Sequence, residues 1–177
     1  QTINIYHAIN KRLLNNPYMY NFGVGISWVL DIDLKTWNIV LPDIVVAGQK
    51  DIHQNILLKV FANYFHFPVK VIIAPTIRDS DGLAFSSRNR FLSKSERQNA
   101  LSIYQVLQEV SSWSKIESIN YIKTYITHRV KSEYCFVAIC CAETLEELNI
   151  LDRDAIIMIT VKFGKVDIMD NIIIKQK

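Results

Sequence analysis

The sequence predicts an α/β fold in which a parallel βαβ unit precedes a small domain of helices and antiparallel strands. Two observations carry this prediction. In the first half, two short apolar runs are separated by one amphipathic helical pattern, which is typical of parallel strands joined by a crossover helix. Near the carboxyl end, only Gly164 and Lys165 separate two further apolar runs, a spacing typical of a hairpin. A chain of 177 residues, 50% of them hydrophobic, is long enough to bury its own core.

The first half is predicted as strand, helix and strand. Residues 43–47 form a short apolar run closed by Gly48 and are expected to be a strand buried on both faces. Apolar residues then recur at helical spacing from Asp51 to Phe65, which predicts an amphipathic helix. A second apolar run, 69–74, predicts another strand. Because open parallel sheets bind ligands at the carboxyl ends of their strands, the polar segments that follow these two strands are the candidate binding segments.

The chain changes character near residue 92. Ser93 and Glu96 have the spacing of a capping box, which predicts the start of a helix. Further elements are predicted as a helix over 116–129 and strands over 133–140, 155–163 and 166–174. We therefore divide the chain into an unassigned segment, 1–36, a first lobe, 37–92, and a C-terminal domain, 93–177. Within the unassigned segment, Phe22–Leu30 fits either a strand or a buried helix.

Composition and charge exclude several functional classes. The formal net charge of +3 is spread along the chain rather than clustered, so no nucleic-acid partner is predicted. No apolar run reaches the roughly 18 residues that a membrane span needs. The pattern of a signal peptide is absent, and we therefore expect a cytoplasmic protein. The three cysteines, Cys135, Cys140 and Cys141, form no metal-binding pair and are expected to be reduced thiols packed in a sheet.

Two polar clusters follow the predicted parallel strands, and both suit an anion. Lys50 supplies a positive charge beside the start of a helix, whose free N–H groups favour a phosphate. Ser86, Ser87 and Arg88 offer two hydroxyls and a forked cation within three residues. Each cluster alone is a weak signal, because a solvated helix start and a surface loop have similar sequences.

The two clusters lie in longer motifs that resemble a known family. Residues Gly48–Gln54 read G-Q-K-D-I-H-Q, and Pro75–Leu92 read P-T-I-R-D-S-D-G-L-A-F-S-S-R-N-R-F-L. Both closely resemble the pantoate–β-alanine ligase (pantothenate synthetase) family, which carries G-x-K-D-x-x-Q and P-x-x-R-x-x-D-G-L-A-x-S-S-R-N-x-x-L. The tail, through Phe163–Asn171, is similar to the family's lid domain. The resemblance covers about residues 37–177 and implies a partial Rossmann-like nucleotidyltransferase lobe followed by a lid.

The resemblance also implies an activity and roles for individual residues. Family members use ATP and Mg²⁺ to convert pantoate to an acyl-adenylate, from which the amine of β-alanine displaces AMP. By motif position the phosphates would be held by Lys50, Ser86, Ser87 and Arg88, which are therefore the candidate catalytic residues. The ribose would be held by Gly48 and Asp51, the adenine would lie by Ile77, and pantoate would bind Gln54. Family members are commonly dimers, so a homodimer is compatible with the resemblance.

Departures from the family pattern lead to an alternative. The front half of the family carries an H-x-G-H motif that grips ATP phosphates, and no such motif is recognisable here. We therefore expect little or no ligase activity from the chain alone. The alternative is a truncated or decaying homologue that at most binds nucleotide weakly or associates with a partner. His53 is expected to be a half-buried helix residue rather than a catalyst. For Arg78, a phosphate contact and a solvated position are equally compatible with the sequence.

Overall fold

The computed structural model describes residues 26–113 and 118–175, with side chains from residue 33 onward. Its helices are α1 (Ile26–Val40), α2 (Ile52–Tyr64), α3 (Lys94–Ser111) and α4 (Ile119–Arg129). Its strands are β1 (Ile44–Gly48), β2 (Lys70–Ala74), β3 (Tyr134–Cys141), β4 (Ala155–Phe163) and β5 (Val166–Ile174). Most of the unassigned segment, residues 1–25, and the predicted start of the second helix at 116 lie outside the described residues. The predicted α/β class, with parallel strands first and antiparallel strands last, is confirmed.

Strands β1 and β2 form a two-stranded parallel sheet, as the βαβ pattern predicts. Their register pairs Gly48 with Ala74, so both strands end at the same edge. The prediction that the first strand is buried on both faces is wrong, because Ile44 and Val46 are 54% and 65% exposed. Helix α2 contacts the opposite face, and no described element covers this one. An apolar run thus indicates which residues a strand contains, not how many layers cover it.

Strands β3, β4 and β5 form an antiparallel sheet with β4 in the centre. Both faces of β4 are buried from Ala155 to Val161. On one face the sheet packs against α3 and α4, where the core includes Ile103, Ile126 and Ile157. On the other face, Ile156 joins a second core that also contains residues of α1 and α2. This sheet is therefore the central layer of the described structure.

Helix α1 crosses the predicted start of the first lobe at residue 37. The ambiguous run Phe22–Leu30 is helical from Ile26 onward, and its earlier residues lie outside the described part of the chain. Trp37 is buried and its ring packs edge-on against Phe67, with 5.8 Å between the centroids. The second core contains residues from both sides of position 92. The division of the chain at that position stays a prediction.

Local sequence signals account for the start of α3 and for the state of the cysteines. Ser93 accepts a hydrogen bond from the backbone N–H of Glu96, whose carboxylate accepts one from the N–H of Ser93, so the predicted capping box is present. All three cysteines are free thiols in β3, as predicted. Burial raises the pKa of Cys135 to about 11 and that of Cys140 to about 12.

Within the described ranges, no helix is both long and apolar enough to cross a membrane.

Candidate functional site

The first candidate segment turns sharply at the end of β1. Residues Gln49–Asp51 form one turn of 3₁₀ helix, and α2 begins directly after it at Ile52. The side-chain amide of Asn55 donates to the carbonyl oxygen of Gly48 at 2.6 Å, which ties the end of the strand to the first turn of the helix. This turn places Lys50 and Asp51 at the carboxyl edge of the parallel sheet, as the sequence predicts.

The second candidate segment folds back on itself after β2. Arg78 and Ala84 form an antiparallel bridge, and the N–H of Phe85 donates to the carbonyl of Ile77 at 2.9 Å. Gly82 closes the turn with a φ of +93°, which a residue with a Cβ rarely adopts. The loop therefore has a defined backbone, which delivers the next residues back to the strand edge.

Ser86, Ser87 and Arg88 lie where this loop passes into a short 3₁₀ helix, Ser87–Phe91. The hydroxyl oxygen of Ser86 caps this helix by accepting a hydrogen bond from the N–H of Arg88 at 3.2 Å. Behind it, buried Asn89 donates to the carbonyl of Ala84 at 3.1 Å. Ser87 and Arg88 are exposed, so their polar groups face solvent. The hydrogen bonds of Ser86 and Asn89 hold the backbone that carries them.

The two candidate segments meet at Lys50. Its ammonium donates a hydrogen bond to the carbonyl oxygen of Phe85 at 3.1 Å, directly before the Ser86–Arg88 cluster. Burial lowers the pKa of Lys50, Arg88 and Arg78 lower it further, and Asp51 and Asp170 oppose them. Carboxylates and guanidinium groups thus both act on Lys50, and the carboxylates act more strongly. Because two guanidinium groups also lie near Lys50, an anion that binds beside these three cations is stabilised by them.

The remaining predicted site residues surround this point. Asp51 occupies the N-cap position of α2, and Gln54, on the first turn of that helix, is half-buried. Ile77 is 76% exposed beside the loop, and Gly48 is exposed at the strand end. These positions are compatible with the contacts predicted to ribose, adenine and pantoate, which stay predictions.

The implied Mg²⁺ has no ready set of protein ligands here. Across residues 26–113 and 118–175, no group of three or more His, Cys, Asp or Glu side chains is placed to hold a metal ion. Asp51 lies beside Lys50, which is itself a cation. The described residues thus supply no group of three such ligands, and Mg²⁺ in proteins often binds through only one or two carboxylates together with substrate phosphates and water.

Two residues of β5 join the site although local sequence patterns give them no role. Asp170 binds both Nη atoms of Arg78, at 2.6 Å and 3.0 Å, which shows that Arg78 is neither solvated nor turned outward. Asn171 donates to the carbonyl oxygens of Gln49 and Lys50 at 2.9 Å and 3.0 Å. The signal in the sequence is the resemblance of Phe163–Asn171 to the family's tail, which gives no partner for either side chain.

His53 is more deeply buried than the half-buried position that the sequence predicts. It lies on α2 with 3% of its surface exposed. Burial lowers its pKa, and the nearby Asp51 opposes that shift. The neutral imidazole is therefore favoured, and the interpretation of His53 as a helix residue rather than a catalyst stays a prediction.

Comparison with known proteins identifies relatives over most of the chain. The family described as Pantoate-beta-alanine ligase matches residues 24–173. The pantothenate synthetase of Wigglesworthia glossinidia brevipalpis is 32% identical over an alignment of 175 positions, which covers 92% of this chain and 59% of that protein. The pantothenate synthetase of Syntrophomonas wolfei is 34% identical, covering 98% of this chain and 62% of that protein. The chain thus spans about 60% of the length of these curated relatives.

Solved structures of the same family resemble the fold of this chain. The pantothenate synthetase of Thermus thermophilus superposes with a TM-score of 0.72 at 27% identity, over 82% of this chain and 54% of that one. The ligase of Francisella tularensis, solved in complex with beta-gamma ATP and beta-alanine, superposes with a TM-score of 0.56 at 24% identity, over 82% of this chain and 49% of that one. The predicted nucleotidyltransferase-like architecture is confirmed by these likenesses. By its match over residues 24–173, this chain belongs to the pantoate–β-alanine ligase family.

Proposed function

We propose that this chain forms the part of a pantoate–β-alanine ligase that binds the phosphates of ATP. One observation carries the proposal: Lys50 contacts the backbone directly before Ser86–Arg88, at the common edge of two parallel strands. This contact brings an ammonium beside the segment that carries two hydroxyls and a guanidinium. Hydrogen bonds from such groups to a phosphate are charge-assisted and are among the stronger ones that proteins form.

In the proposed reaction the chain positions oxygens and neutralises charge. A carboxylate oxygen of pantoate attacks the α-phosphorus of ATP, and the bond to the bridging oxygen of the β-phosphate breaks, releasing pyrophosphate. The amine of β-alanine then attacks the acyl carbon, the bond to AMP breaks, and the nitrogen loses a proton to give pantothenate. Lys50 and Arg88 stabilise the charge on the phosphates, while Gln54 orients pantoate.

A second candidate function is binding of nucleotide without ligation. The described residues supply groups that suit a phosphate, and this candidate requires nothing further of the chain. Both candidates require that the Lys50 site binds ATP, and they differ only in turnover. A coupled assay of AMP formation with pantoate, β-alanine and Mg·ATP separates them.

Titration calorimetry with ATP tests the site itself. Lys50→Ala and Ser87→Ala should each weaken ATP binding by about 1–3 kcal/mol, because each removes a hydrogen bond to a charged group. Lys59→Ala is the matched control, since Lys59 is an exposed lysine on α2 and belongs to neither candidate segment. Unchanged affinity in both site variants would refute the phosphate assignment. Turnover that disappears in Lys50→Ala supports the ligase, and binding without turnover supports the second candidate.

A further inference from the structure

Arg78 is held by three different groups at once. Both of its Nη atoms donate to the carboxylate of Asp170, whose side chain is only 3% exposed. Its guanidinium also lies 3.6 Å from the centre of the Tyr104 ring, and one Nη donates to the carbonyl of Gly82 at 3.2 Å. Because Arg78 begins the folded loop that ends at Ser86, these contacts fix the loop to the C-terminal domain.

Asn171, the next residue along β5, holds the other candidate segment. Its amide donates to the backbone carbonyls of Gln49 and Lys50, and its side-chain oxygen accepts from the side-chain amide of Gln49 at 3.1 Å. The residue is 2% exposed, so water cannot readily replace these bonds. The two bonds that this buried amide donates to carbonyl oxygens therefore fix the backbone from which the Lys50 side chain extends.

Two consecutive buried residues of β5 thus bind both segments of the proposed phosphate site. Asp170 fixes the segment that leads to Ser86–Arg88, and Asn171 fixes the segment that carries Lys50. Adjacent Cα atoms in a chain are about 3.8 Å apart and cannot separate. Strand β5 is in turn paired with β4 along its whole length. The distance between the two segments is consequently set by β5 as well as by the pairing of β1 with β2.

We propose that Asp170 and Asn171 are positioning residues that set the spacing of Lys50 from Ser86–Arg88 and thereby determine the affinity for ATP. The proposal rests on the proposed function, because it assumes that these groups bind the phosphates. It assigns to β5, which the resemblance places in a lid, a permanent role in building the site. Neither residue has to touch the nucleotide for this role.

Asp170→Asn tests the proposal through the sign of its effect. Asp170 is an anion close enough to Lys50 to raise its pKa, so its removal by simple electrostatics should strengthen the binding of an anionic ligand. If Asp170 instead positions the loop, the substitution removes the ion pair with Arg78 and weakens binding. We expect the Kd for ATP to rise about tenfold, consistent with the loss of one or two buried hydrogen bonds. An unchanged or lower Kd would overturn the proposal.

A double-mutant cycle separates positioning from general destabilisation. Asn171→Ala should raise the Kd for ATP about tenfold in the unsubstituted chain, but less than about twofold in the Lys50→Ala background, since the positioned group is then absent. Equal effects in both backgrounds would contradict the proposal. Should Asn171→Ala fail to fold, Asn171→Ser, which keeps one donor, replaces it with a smaller expected effect of the same pattern.

Glu147→Gln is the matched control. It breaks a partly buried ion pair of comparable length, the 2.6 Å contact of Glu147 with Lys123, elsewhere in the C-terminal domain. We expect it to leave the Kd for ATP unchanged. If Lys50→Ala weakens binding while the β5 variants do not, the positioning role fails and the proposed function stands. If the unsubstituted chain does not bind ATP at all, both fail together.

Discussion

The two sheets of this chain are buried to very different extents. In the antiparallel sheet, the central strand β4 is buried on both faces from Ala155 to Val161. In the parallel sheet, alternate residues of β1 are exposed, and Val46 retains 65% of its surface. Yet the candidate site lies at the edge of the less covered sheet and is held in place from the more covered one, through β5. The placement of the site thus depends on the antiparallel sheet as well as on the parallel sheet that carries it.

The largest expected effect comes from truncating one fully buried isoleucine of this central layer. Ile157 is 0% exposed and lies in β4 against the helices α3 and α4. Ile157→Ala leaves a cavity that the surrounding sheet cannot fill, and it should lower the free energy of unfolding by about 2–5 kcal/mol. Urea denaturation followed by circular dichroism measures this change.

The matched control makes the same substitution in the other sheet. Ile44 lies in β1 and is 54% exposed, so Ile44→Ala should cost about 1 kcal/mol or less. If Ile157→Ala does not fold, Ile157→Val measures the same site at an expected cost of about 0.5–1.5 kcal/mol. Equal costs for Ile157→Ala and Ile44→Ala would remove the distinction between the two sheets.

The sequence predicts the elements of both sheets better than their environment. The ends of the last hairpin follow from its turn, where Gly164 has a φ of +55°, and the predicted bounds 155–163 and 166–174 agree with β4 and β5. The prediction for the burial of β1 is wrong, because an apolar run of five residues is equally compatible with one covering layer or two. Which layers are present depends on contacts distant in sequence, which local patterns do not contain.

A second expected effect concerns pH and the core that the two sheets share. His53 is buried on α2, and burial lowers its pKa below the ordinary value of 6.5. Between that value and the lower one of the folded state, the unfolded chain binds a proton that the folded chain does not. The free energy of unfolding should therefore fall as the pH decreases below about 6.5, by up to about 1.4 kcal/mol for each pH unit.

Urea denaturation at about pH 7.5 and about pH 5.5 measures this dependence. His53→Gln keeps a polar side chain but cannot titrate in this range, so its stability should decrease less over the same interval. The comparison of each protein with itself at the higher pH cancels any constant cost of the substitution. An identical decrease in both proteins would assign the pH dependence to other groups.

The candidate site was predictable only where its residues are close in sequence. Lys50 and the Ser86–Arg88 cluster each follow a strand within a compact motif, and the end-to-end register of β1 and β2 brings them together. Asp170 and Asn171 have no role assigned from the sequence, since they lie 92 and 121 residues from Arg78 and Lys50. A polar pair on a strand gives no indication of which distant loop it binds. Those partners are decided by how the antiparallel sheet packs, which no short motif specifies.

The smallest expected effect is the difference in unfolding free energy between substitutions on the two faces of β1. Val45 and Val46 are neighbours in one strand, and only Val45 packs against the second core, while Val46 is exposed. Val45→Ala should therefore cost about 1 kcal/mol of unfolding free energy, and Val46→Ala less than about 0.5 kcal/mol. Both substitutions remove the same atoms and the same preference for strand structure, so their difference reports burial alone. Equal costs would show that the outer face of the parallel sheet is covered in solution, and the contrast between the two sheets would then be wrong.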